Sequence, residues 1–199
     1  MGVSAVILAG GRATRMQGEK PLRLLKGRTL LQHSNDLVAP LADEIIVASG
    51  TRNLDLPDGA ISAPDSPGFA GQGPLAGILA GLNTASHEQI IVLACDLPNL
   101  PLALLQRMLD RLADTSCCWC EHSGHPEPLA AAVRKTPAKA IIDEALKAGQ
   151  NKVMPCWLGL PHRILGEADL TEFQPLQQTF ANINTLQDLE AQEGSNNEA

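Results

Sequence analysis

Short apolar runs alternate along this chain with longer segments in which apolar residues recur every three or four positions. Continuous apolar runs are typical of strands buried on both faces, whereas the wider spacing is typical of helices that bury one side. The pattern predicts strands at 3–8, 44–48, 60–63 and 89–95. It predicts helices at 29–41, 74–85 and 102–112. This alternation indicates a three-layer α/β fold, with a mostly parallel sheet, helices on both faces and ligands at the carboxyl ends of the strands.

The second half of the chain has a less regular pattern. It predicts two strands, 117–122 and 128–133, joined by a turn at 123–126, and an edge strand at 162–165. Further helices are predicted at 137–148, at 152–160 and after Thr185. Thr185 and Asp188 have the spacing of a capping box at the start of that last helix. The segment 191–199 is polar, so we expect one domain over 1–190 followed by a frayed tail.

Composition narrows the function classes. The chain has 199 residues, of which 44% are hydrophobic and 19% charged, as expected for a compact domain with a sizeable core. A net charge of −7 argues against a nucleic-acid partner, because binding to a phosphate backbone depends on clustered Lys and Arg. No apolar run has the length of a membrane span, and the first ten residues carry neither a basic region nor a cleavage site. The chain has five cysteines, and an odd number fits reduced thiols better than a set of disulfides. The missing membrane span, the missing signal peptide and the cysteine count together predict a cytoplasmic protein without a membrane partner.

The most informative segment is the one that follows the first predicted strand. Gly10 and Gly11 end that strand, and the next residues include Arg12, Arg15 and Lys20. A strand, a glycine turn and then cations can bring backbone N–H groups close to a polyphosphate and offset its charge. Neither the Walker A motif nor the dinucleotide fingerprint fits this stretch. The segment predicts a nucleotide site, with an ordinary turn and solvated side chains as the alternative.

The motifs of this chain resemble those of the molybdenum cofactor guanylyltransferases. The resemblance begins with LAGG, R-x-x-RM and a lysine, and the family's other motifs follow over nearly the whole chain. They are Asp65-Ser66, GPLAG at 73–77, CDLPNLP at 95–101, His125-Pro126 and NINTLQDL at 182–189. The resemblance implies a Rossmann-like nucleotidyltransferase fold and an enzyme that transfers GMP from GTP to molybdopterin and releases pyrophosphate. Such an enzyme needs no general base, because the attacking phosphate is already anionic.

The resemblance also implies roles for individual residues. The implied GTP-binding set is Leu8, Ala9, Gly10, Gly11, Lys20, Asp65 and Asp96, of which the first four act through their backbone. Lys20, Arg15 and Asp96 are the implied catalytic residues, with the two cations on the triphosphate. Asp96 is the implied ligand of Mg²⁺, which takes one or two carboxylates and otherwise binds phosphates and water. The alternative for Asp96 is a turn residue ahead of Pro98.

Three further polar residues belong to this implied site. Asp65 accepts hydrogen bonds from the guanine edge or from ribose hydroxyls, and the sequence does not choose between them. Asn182 and Asn184 match the paired asparagines beside molybdopterin in the family. The alternatives are a turn aspartate before Ser66-Pro67 and, for Asn184, local capping of the last helix.

The chain departs from the family pattern in two places. Ala48 stands where the family often has an asparagine, so that contact is lost or replaced by Ser49, and Glu19 stands where an aspartate commonly precedes the lysine. Neither change removes a phosphate ligand.

Three other functions compete with GMP transfer. Relatives that use CTP tend to read LAAG, and the missing side chain at Gly10 or Gly11 is interpreted as room for a purine. The nearest alternative is therefore a CTP-dependent molybdopterin cytidylyltransferase. The others are a non-catalytic protein that delivers nucleotide or cofactor and a sugar-1-phosphate nucleotidyltransferase. Other molybdenum cofactor biosynthesis proteins and apo-molybdoenzymes are the expected partners.

A cluster of cysteines and histidines raises the question of zinc. It consists of Cys117, Cys118, Cys120, His122 and His125. The spacing fits no common closed zinc site, because alternate residues of a strand face opposite sides. We interpret the cysteines as small hydrophobic residues of a buried strand and His125 as part of a turn on the substrate side.

Overall fold

The computed structural model describes residues 2–10 and 20–194. Nine strands are present in this part of the chain, and seven of them form one sheet. Their bounds are β1 Val3–Leu8, β2 Leu24–Leu25, β3 Arg28–Thr29, β4 Glu44–Gly50, β5 Ile61–Pro64, β6 Gln89–Ala94, β7 Cys117–His122, β8 His125–Arg134 and β9 His162–Leu165. The order across the large sheet is β5-β4-β1-β6-β8-β7-β9, and β2 and β3 form a separate hairpin.

The large sheet is mostly parallel. β1 lies between β4 and β6 and runs parallel to both, and β5 continues in the same direction beside β4. Only β8 is reversed, since it pairs antiparallel with both β6 and β7. The carboxyl ends of β1, β4 and β6 therefore lie at one edge of the sheet, next to the turn that joins β7 to β8.

Helices cover both faces of this sheet. Their bounds are α1 Leu30–Val38, α2 Pro74–Thr84, α3 Leu102–Arg111, α4 Lys135–Lys147, α5 Val153–Leu158, α6 Leu176–Thr179 and α7 Leu186–Gly194. One apolar cluster packs α2, α4 and α5 on the face that carries Val6 and Trp119. The other packs α1 and α3 on the face that carries Ile7 and Leu93. The predicted three-layer α/β fold is confirmed.

Local sequence explains how α1 begins and how closely α2 packs against the sheet. Thr29 starts α1 with a capping box, in which the Thr29 hydroxyl accepts from the Gln32 N–H at 3.0 Å and the Gln32 side chain accepts from the Thr29 N–H at 2.8 Å. α2 approaches β1 so closely that a Cβ on Gly81 would lie 2.3 Å from Val6 Cγ1. Glycine at this position therefore lets α2 pack against the strand that leads into the site.

Several predicted bounds are wrong. α1 ends at Val38 rather than 41, because Pro40 prevents the preceding residues from continuing the helix. β8 begins at His125 rather than 128, so the turn shortens to Ser123 and Gly124, both with positive φ. The structure also contains the β2–β3 hairpin, α6 and four short 3₁₀ turns that the pattern does not predict.

The end of the chain continues as a helix beyond the predicted domain limit. α7 extends to Gly194 and thus includes the first four residues of the segment predicted as a tail, while 195–199 lie outside the described residues. Among the described residues, no helix has the length and apolar character needed to cross a membrane.

Candidate active site

A cavity of about 230 Å³ opens at the carboxyl edge of the sheet. Its lining includes most of the residues that the sequence assigns to the nucleotide. These are Leu8, Gly10, Lys20, Asp65 and Asp96, together with residues of α2 and β4. Ala9 is fully buried behind the cavity. Gly11 and Arg15 lie outside the described residues, so their roles remain predictions. The cavity lies where open α/β sheets bind their ligands.

Lys20 and Asp96 form an ion pair at one end of this cavity. Asp96 follows β6, and Lys20 begins a short 3₁₀ turn that leads to the β2–β3 hairpin. The Lys20 ammonium donates to Asp96 Oδ2 at 2.7 Å and to Asn184 Oδ1 at 2.8 Å. The two charged side chains are only 16% and 20% exposed. Three residues far apart in sequence therefore meet in one charge-assisted contact.

The segment that carries Asn184 is held against Asp96 by its backbone. The N–H of Ile183 donates to the Asp96 carbonyl at 2.9 Å, and the Ile183 side chain is fully buried beside Leu25 and Leu30. These contacts fix Asn184 next to Lys20. Asn182, on the other side of Ile183, is exposed to solvent. Asn184 is exposed as well, and the role of the two asparagines beside molybdopterin stays a prediction.

Asp188 fixes the other end of this segment. Its carboxylate accepts from the N–H groups of Asn184 and Thr185, both at 2.8 Å, and its own N–H donates to the Thr185 hydroxyl at 3.1 Å. The predicted capping box is therefore confirmed. The hydrogen bond from the Asn184 backbone is the main cause of a lowered pKa at Asp188, because it favours the charged form.

Gly10 is required by the close approach of two strands. The N–H groups of Ala9 and Gly10 both donate to the Ala48 carbonyl, at 3.0 and 2.9 Å. A Cβ on Gly10 would lie only 2.9 Å from the backbone nitrogen of Gly50. This contact gives a packing reason for the missing side chain at Gly10, and the base-size interpretation stays a prediction. The implied contacts of Ala9 and Gly10 with a nucleotide would have to use backbone atoms other than these two N–H groups.

Asp65 lies at the other end of the cavity, directly after β5. Its N–H donates to the Gly50 carbonyl at 2.9 Å, and its Oδ2 accepts from the Gly71 N–H at 3.1 Å. Its Oδ1 is buried and has no hydrogen-bond partner among the described residues. A buried carboxylate oxygen without a partner is costly, which is typical of a group that awaits a ligand.

A second cavity of about 420 Å³ adjoins the first at Asp65. Thr51, Arg52 and the glycine-containing stretch 70–73 line it. Asp65 and Gly50 belong to both cavities. The two spaces together leave room for an elongated ligand that extends from Lys20 past Asp65.

The position where the family often has an asparagine carries no polar side chain in this chain. Ala48 lines the cavity, whereas Ser49 is absent from its described lining. Ser49 is buried, and its hydroxyl has no hydrogen-bond partner in the described part of the chain. Ala48 itself therefore offers no polar side chain to a ligand, and replacement of the contact by Ser49 stays a prediction.

The β7–β8 hairpin adds a polar group that the sequence analysis missed. Glu127 Oε1 lies 3.1 Å from His122 Nε2, and the His122 ring stacks on Phe180 with centroids 4.4 Å apart. Burial raises the pKa of Glu127, the His122 hydrogen bond opposes this, and the nearby Asp96 charge adds to it. Antiparallel pairing of β8 with β6 brings Glu127 towards Asp96, and no local sequence pattern signals this pairing.

The cysteines are buried residues of the core. All five are buried without disulfides. Cys95 lines the cavity, and burial, followed by the neighbouring Asp96 charge, raises its pKa to about 12. Burial likewise raises the pKa of Cys117, Cys118 and Cys120. The thiol beside the cavity is therefore protonated at neutral pH and is not a nucleophile.

The charged groups of the site suit a cation that is only partly bound by protein. Among the described residues, no group of three or more His, Cys, Asp or Glu side chains is arranged to hold a metal ion. Asp96 is a partly exposed carboxylate in the cavity that already binds a cation, the Lys20 ammonium. This donor set fits Mg²⁺, which keeps waters and substrate phosphates as its remaining ligands.

Comparisons with known proteins agree with this geometry. The family model described as "MobA-like NTP transferase domain" matches residues 5–159. The chain is 33% identical to the molybdenum cofactor guanylyltransferase of Syntrophotalea carbinolica, with 94% of this chain and 89% of that protein covered. It is 35% identical to the enzyme of the same name from Burkholderia vietnamiensis, with 95% and 94% covered. These matches confirm the resemblance that the motifs indicate.

Solved structures share the fold. Molybdopterin-guanine dinucleotide biosynthesis protein A from Archaeoglobus fulgidus superposes with a TM-score of 0.76 at 23% identity, over 96% of both chains. The 2-C-methyl-D-erythritol 4-phosphate cytidylyltransferase of Thermus thermophilus gives 0.72 at 20% identity, over 97% of this chain and 98% of that one. The predicted nucleotidyltransferase fold is confirmed.

Proposed function

Since the chain belongs to the MobA-like NTP transferase family, we propose that it transfers GMP from GTP to molybdopterin, giving molybdopterin guanine dinucleotide and pyrophosphate. The observation that carries the proposal is the Lys20–Asp96 pair at the end of a cavity at the carboxyl edge of the sheet. An ammonium and a carboxylate at this place suit a triphosphate and its metal ion. The names of the curated relatives support GTP rather than CTP as the nucleotide.

The proposed reaction is a displacement at the α-phosphorus of GTP. An oxygen of the terminal phosphate of molybdopterin forms the new P–O bond, while the bond to the β-phosphate breaks and pyrophosphate leaves. The chain has to position two polyanions and offset their charge. The cavity meets this requirement, because it contains the charged groups of Lys20 and Asp96. The Cys95 thiol in the same cavity is protonated and so does not act as a nucleophile.

Each end of the cavity has a distinct proposed task. Lys20 donates to the phosphates and offsets the charge that accumulates on pyrophosphate. Asp96 holds Mg²⁺, which when bound neutralises phosphate oxygens and orients them for displacement. Asp65 accepts hydrogen bonds from the nucleoside through its unpartnered Oδ1. Asn184 and the exposed Asn182 face the molybdopterin side.

Two proposed contributions involve residues outside the described part of the chain. Gly11 binds GTP through its backbone, and Arg15 adds a second cation to the triphosphate. Arg15→Ala is compared with Arg28→Ala, which removes an exposed arginine of β3 outside the described cavity lining. A loss of activity confined to the first variant would support the role of Arg15.

The proposal is tested with purified protein, GTP, Mg²⁺ and molybdopterin. We expect pyrophosphate release that depends on molybdopterin, together with formation of the guanine dinucleotide. CTP replaces GTP in a second assay, and hexose 1-phosphates replace molybdopterin in a third. Faster turnover in either of these would contradict the assignment of the substrate. Tight GTP binding without any pyrophosphate release would favour a delivery protein instead.

Binding alone gives an independent measure of nucleotide preference. A ligand that binds only the folded state raises Tm according to its concentration and affinity. We expect GTP with Mg²⁺ to raise Tm more than CTP with Mg²⁺ does. We also propose a cytoplasmic location, supported by five cysteines that form no disulfide.

A further inference from the structure

The Lys20 ammonium contacts two groups that the proposed function assigns to different partners. Its Nζ lies 2.7 Å from Asp96 Oδ2, the proposed metal ligand, and 2.8 Å from Asn184 Oδ1, on the molybdopterin side. The Lys20 ammonium therefore occupies one carboxylate oxygen of Asp96 and the amide oxygen of Asn184. The inference drawn from this contact rests on the proposed function and concerns the order in which the substrates bind.

We propose that in the nucleotide-free protein the Lys20 ammonium stands in for the metal ion at Asp96 and occupies the amide oxygen of Asn184, so that GTP with Mg²⁺ binds before molybdopterin. The triphosphate withdraws the ammonium from both groups. Asp96 is then open to the metal ion that arrives with the nucleotide, and Asn184 is open to the second substrate.

Charge is the first argument for this order. The Asp96 carboxylate is already neutralised by an ammonium in direct contact, and both side chains are largely shielded from solvent. A free divalent cation at Asp96 would sit beside a positive charge, and repulsion at such distances is strong near a protein surface. A triphosphate removes this obstacle, because its oxygens accept the ammonium and also supply ligands to Mg²⁺.

The second argument is that the backbones of Asp96 and Asn184 are held in place without Lys20. The Ile183 N–H binds the Asp96 carbonyl at 2.9 Å, and the Asn184 N–H binds the Asp188 carboxylate at 2.8 Å. Ile183 is fully buried between them. Withdrawal of the lysine therefore requires movement of one long side chain, while the backbone that carries its two acceptors keeps its position.

This arrangement makes Asn184 a positioning residue for the nucleotide side as well. In the free protein its amide oxygen helps to hold Lys20 at the cavity, and in the nucleotide complex the same oxygen faces the acceptor substrate. The link between the two substrate sites is one shared hydrogen-bond donor.

Binding of Mn²⁺ without nucleotide tests the stand-in role. The wild-type protein is compared with Lys20→Met and with Lys139→Met, which removes an exposed lysine of α4 and so makes the same change in net charge. Electron paramagnetic resonance measures free Mn²⁺. We expect Lys20→Met to bind Mn²⁺ about tenfold more tightly than the wild type, and Lys139→Met to resemble the wild type. Equal affinity in all three proteins would overturn the proposal.

Equilibrium dialysis of molybdopterin tests the order of binding. Its affinity is measured with and without Mg²⁺ and the α,β-methylene analogue of GTP, which cannot transfer GMP. We expect the analogue to tighten molybdopterin binding to the wild type by about fivefold, within the usual range of coupling between two sites. In Lys20→Met this gain should disappear, since no ammonium occupies the amide oxygen of Asn184. A gain that persists in Lys20→Met, or none in the wild type, would overturn the proposal.

The wild-type protein provides a check that does not depend on a variant folding. An ammonium held by two oxygen acceptors should give a resolved ¹H–¹⁵N signal for Lys20. We expect Mg²⁺ alone to leave this signal in place and Mg²⁺ with the analogue to shift it. A shift caused by Mg²⁺ alone would contradict the stand-in role.

Failure of this inference is distinguishable from failure of the proposed function. Pyrophosphate release from GTP with molybdopterin, combined with unchanged Mn²⁺ binding in Lys20→Met, would retain the function and remove the stand-in role. Tighter Mn²⁺ binding in that variant, without GMP transfer by the wild type, would support the stand-in role at Asp96 and remove the function.

Discussion

Asp96 and Asp65 lie at opposite ends of one cavity and meet different surroundings. Both follow a strand of the parallel sheet. Asp96 is in contact with the Lys20 ammonium, whereas Asp65 accepts from the Gly71 N–H and retains one buried oxygen without a partner among the described residues. An aspartate after a strand therefore binds a cation at Asp96 and accepts from a neutral N–H donor at Asp65. Neighbouring residues, rather than strand position, decide which ligand a carboxylate receives.

The largest effect is expected at the cation end. Asp96→Asn should lower GMP transfer by about 10³-fold, because an amide cannot replace the charge of a metal ligand. GTP affinity should change by no more than about threefold, since the Lys20 ammonium stays available to phosphate. Pyrophosphate release and calorimetric titration measure the two quantities. The control is Asp114→Asn, at an exposed position, and a similar loss there would show that the effect is not specific.

At the other end of the cavity, substitution should alter binding more than chemistry. Asp65→Asn should raise KM for GTP by about 10- to 100-fold, the cost of a charged hydrogen bond to the nucleoside, and change kcat by less than about threefold. Steady-state kinetics with varied GTP separates the two constants. A variant with normal KM and low kcat would place Asp65 with Asp96 and remove the contrast between the two ends.

Between the two ends, the contact of Gly10 with Gly50 should matter for stability. Gly10→Ala should lower the free energy of unfolding by about 1–3 kcal/mol, because the added Cβ meets backbone at 2.9 Å. In Gly10→Ala, the increases in Tm caused by GTP and by CTP should both be smaller than in the wild type, by the same factor. Gly68→Ala is the control, since a Cβ there has open space. Preference for CTP in Gly10→Ala would support the base-size interpretation.

The smallest effect is expected where Asp188 supports Asn184. Asp188→Ala should lower stability by about 1 kcal/mol, as loss of a helix cap does. The pKa of Asp188 is lowered in the folded state, so its contribution is present above the unfolded pKa and is lost as pH falls through the folded value. Urea denaturation at neutral and acidic pH measures the free energy of unfolding of the wild type and of Asp188→Ala. If the difference between the two proteins stays constant down to acid pH, the cap does not depend on the charge of Asp188.

The sequence predicts elements well where one local pattern decides them. β1, β7 and β9 have the predicted bounds because a continuous run or clear flanking turns define each strand. The two-residue strands β2 and β3 have too few positions to show a period, so they were missed. The sequence also identified Lys20, Asp65 and Asp96 through motifs, and the structure brings all three to one cavity.

Contacts between distant segments could not be predicted in this way. The hydrogen bond from Lys20 to Asn184 depends on how residues 182–184 pack beside Asp96, and no spacing encodes it. Glu127 comes near Asp96 only because β8 is inserted in reverse between β6 and β7. Gly10 lies against the backbone of Gly50, which the sequence does not place beside it.

The burial of all five cysteines has a practical consequence for experiments. Thiol-reactive dyes attack the thiolate, and the native thiols are shielded from reagents, with burial keeping them protonated at neutral pH. A cysteine introduced at the exposed position of Lys139 would therefore be the preferred target for a fluorophore or spin label. Substrate binding could then be followed by spectroscopy without first replacing any native cysteine, and the thiol beside Asp96 would stay intact.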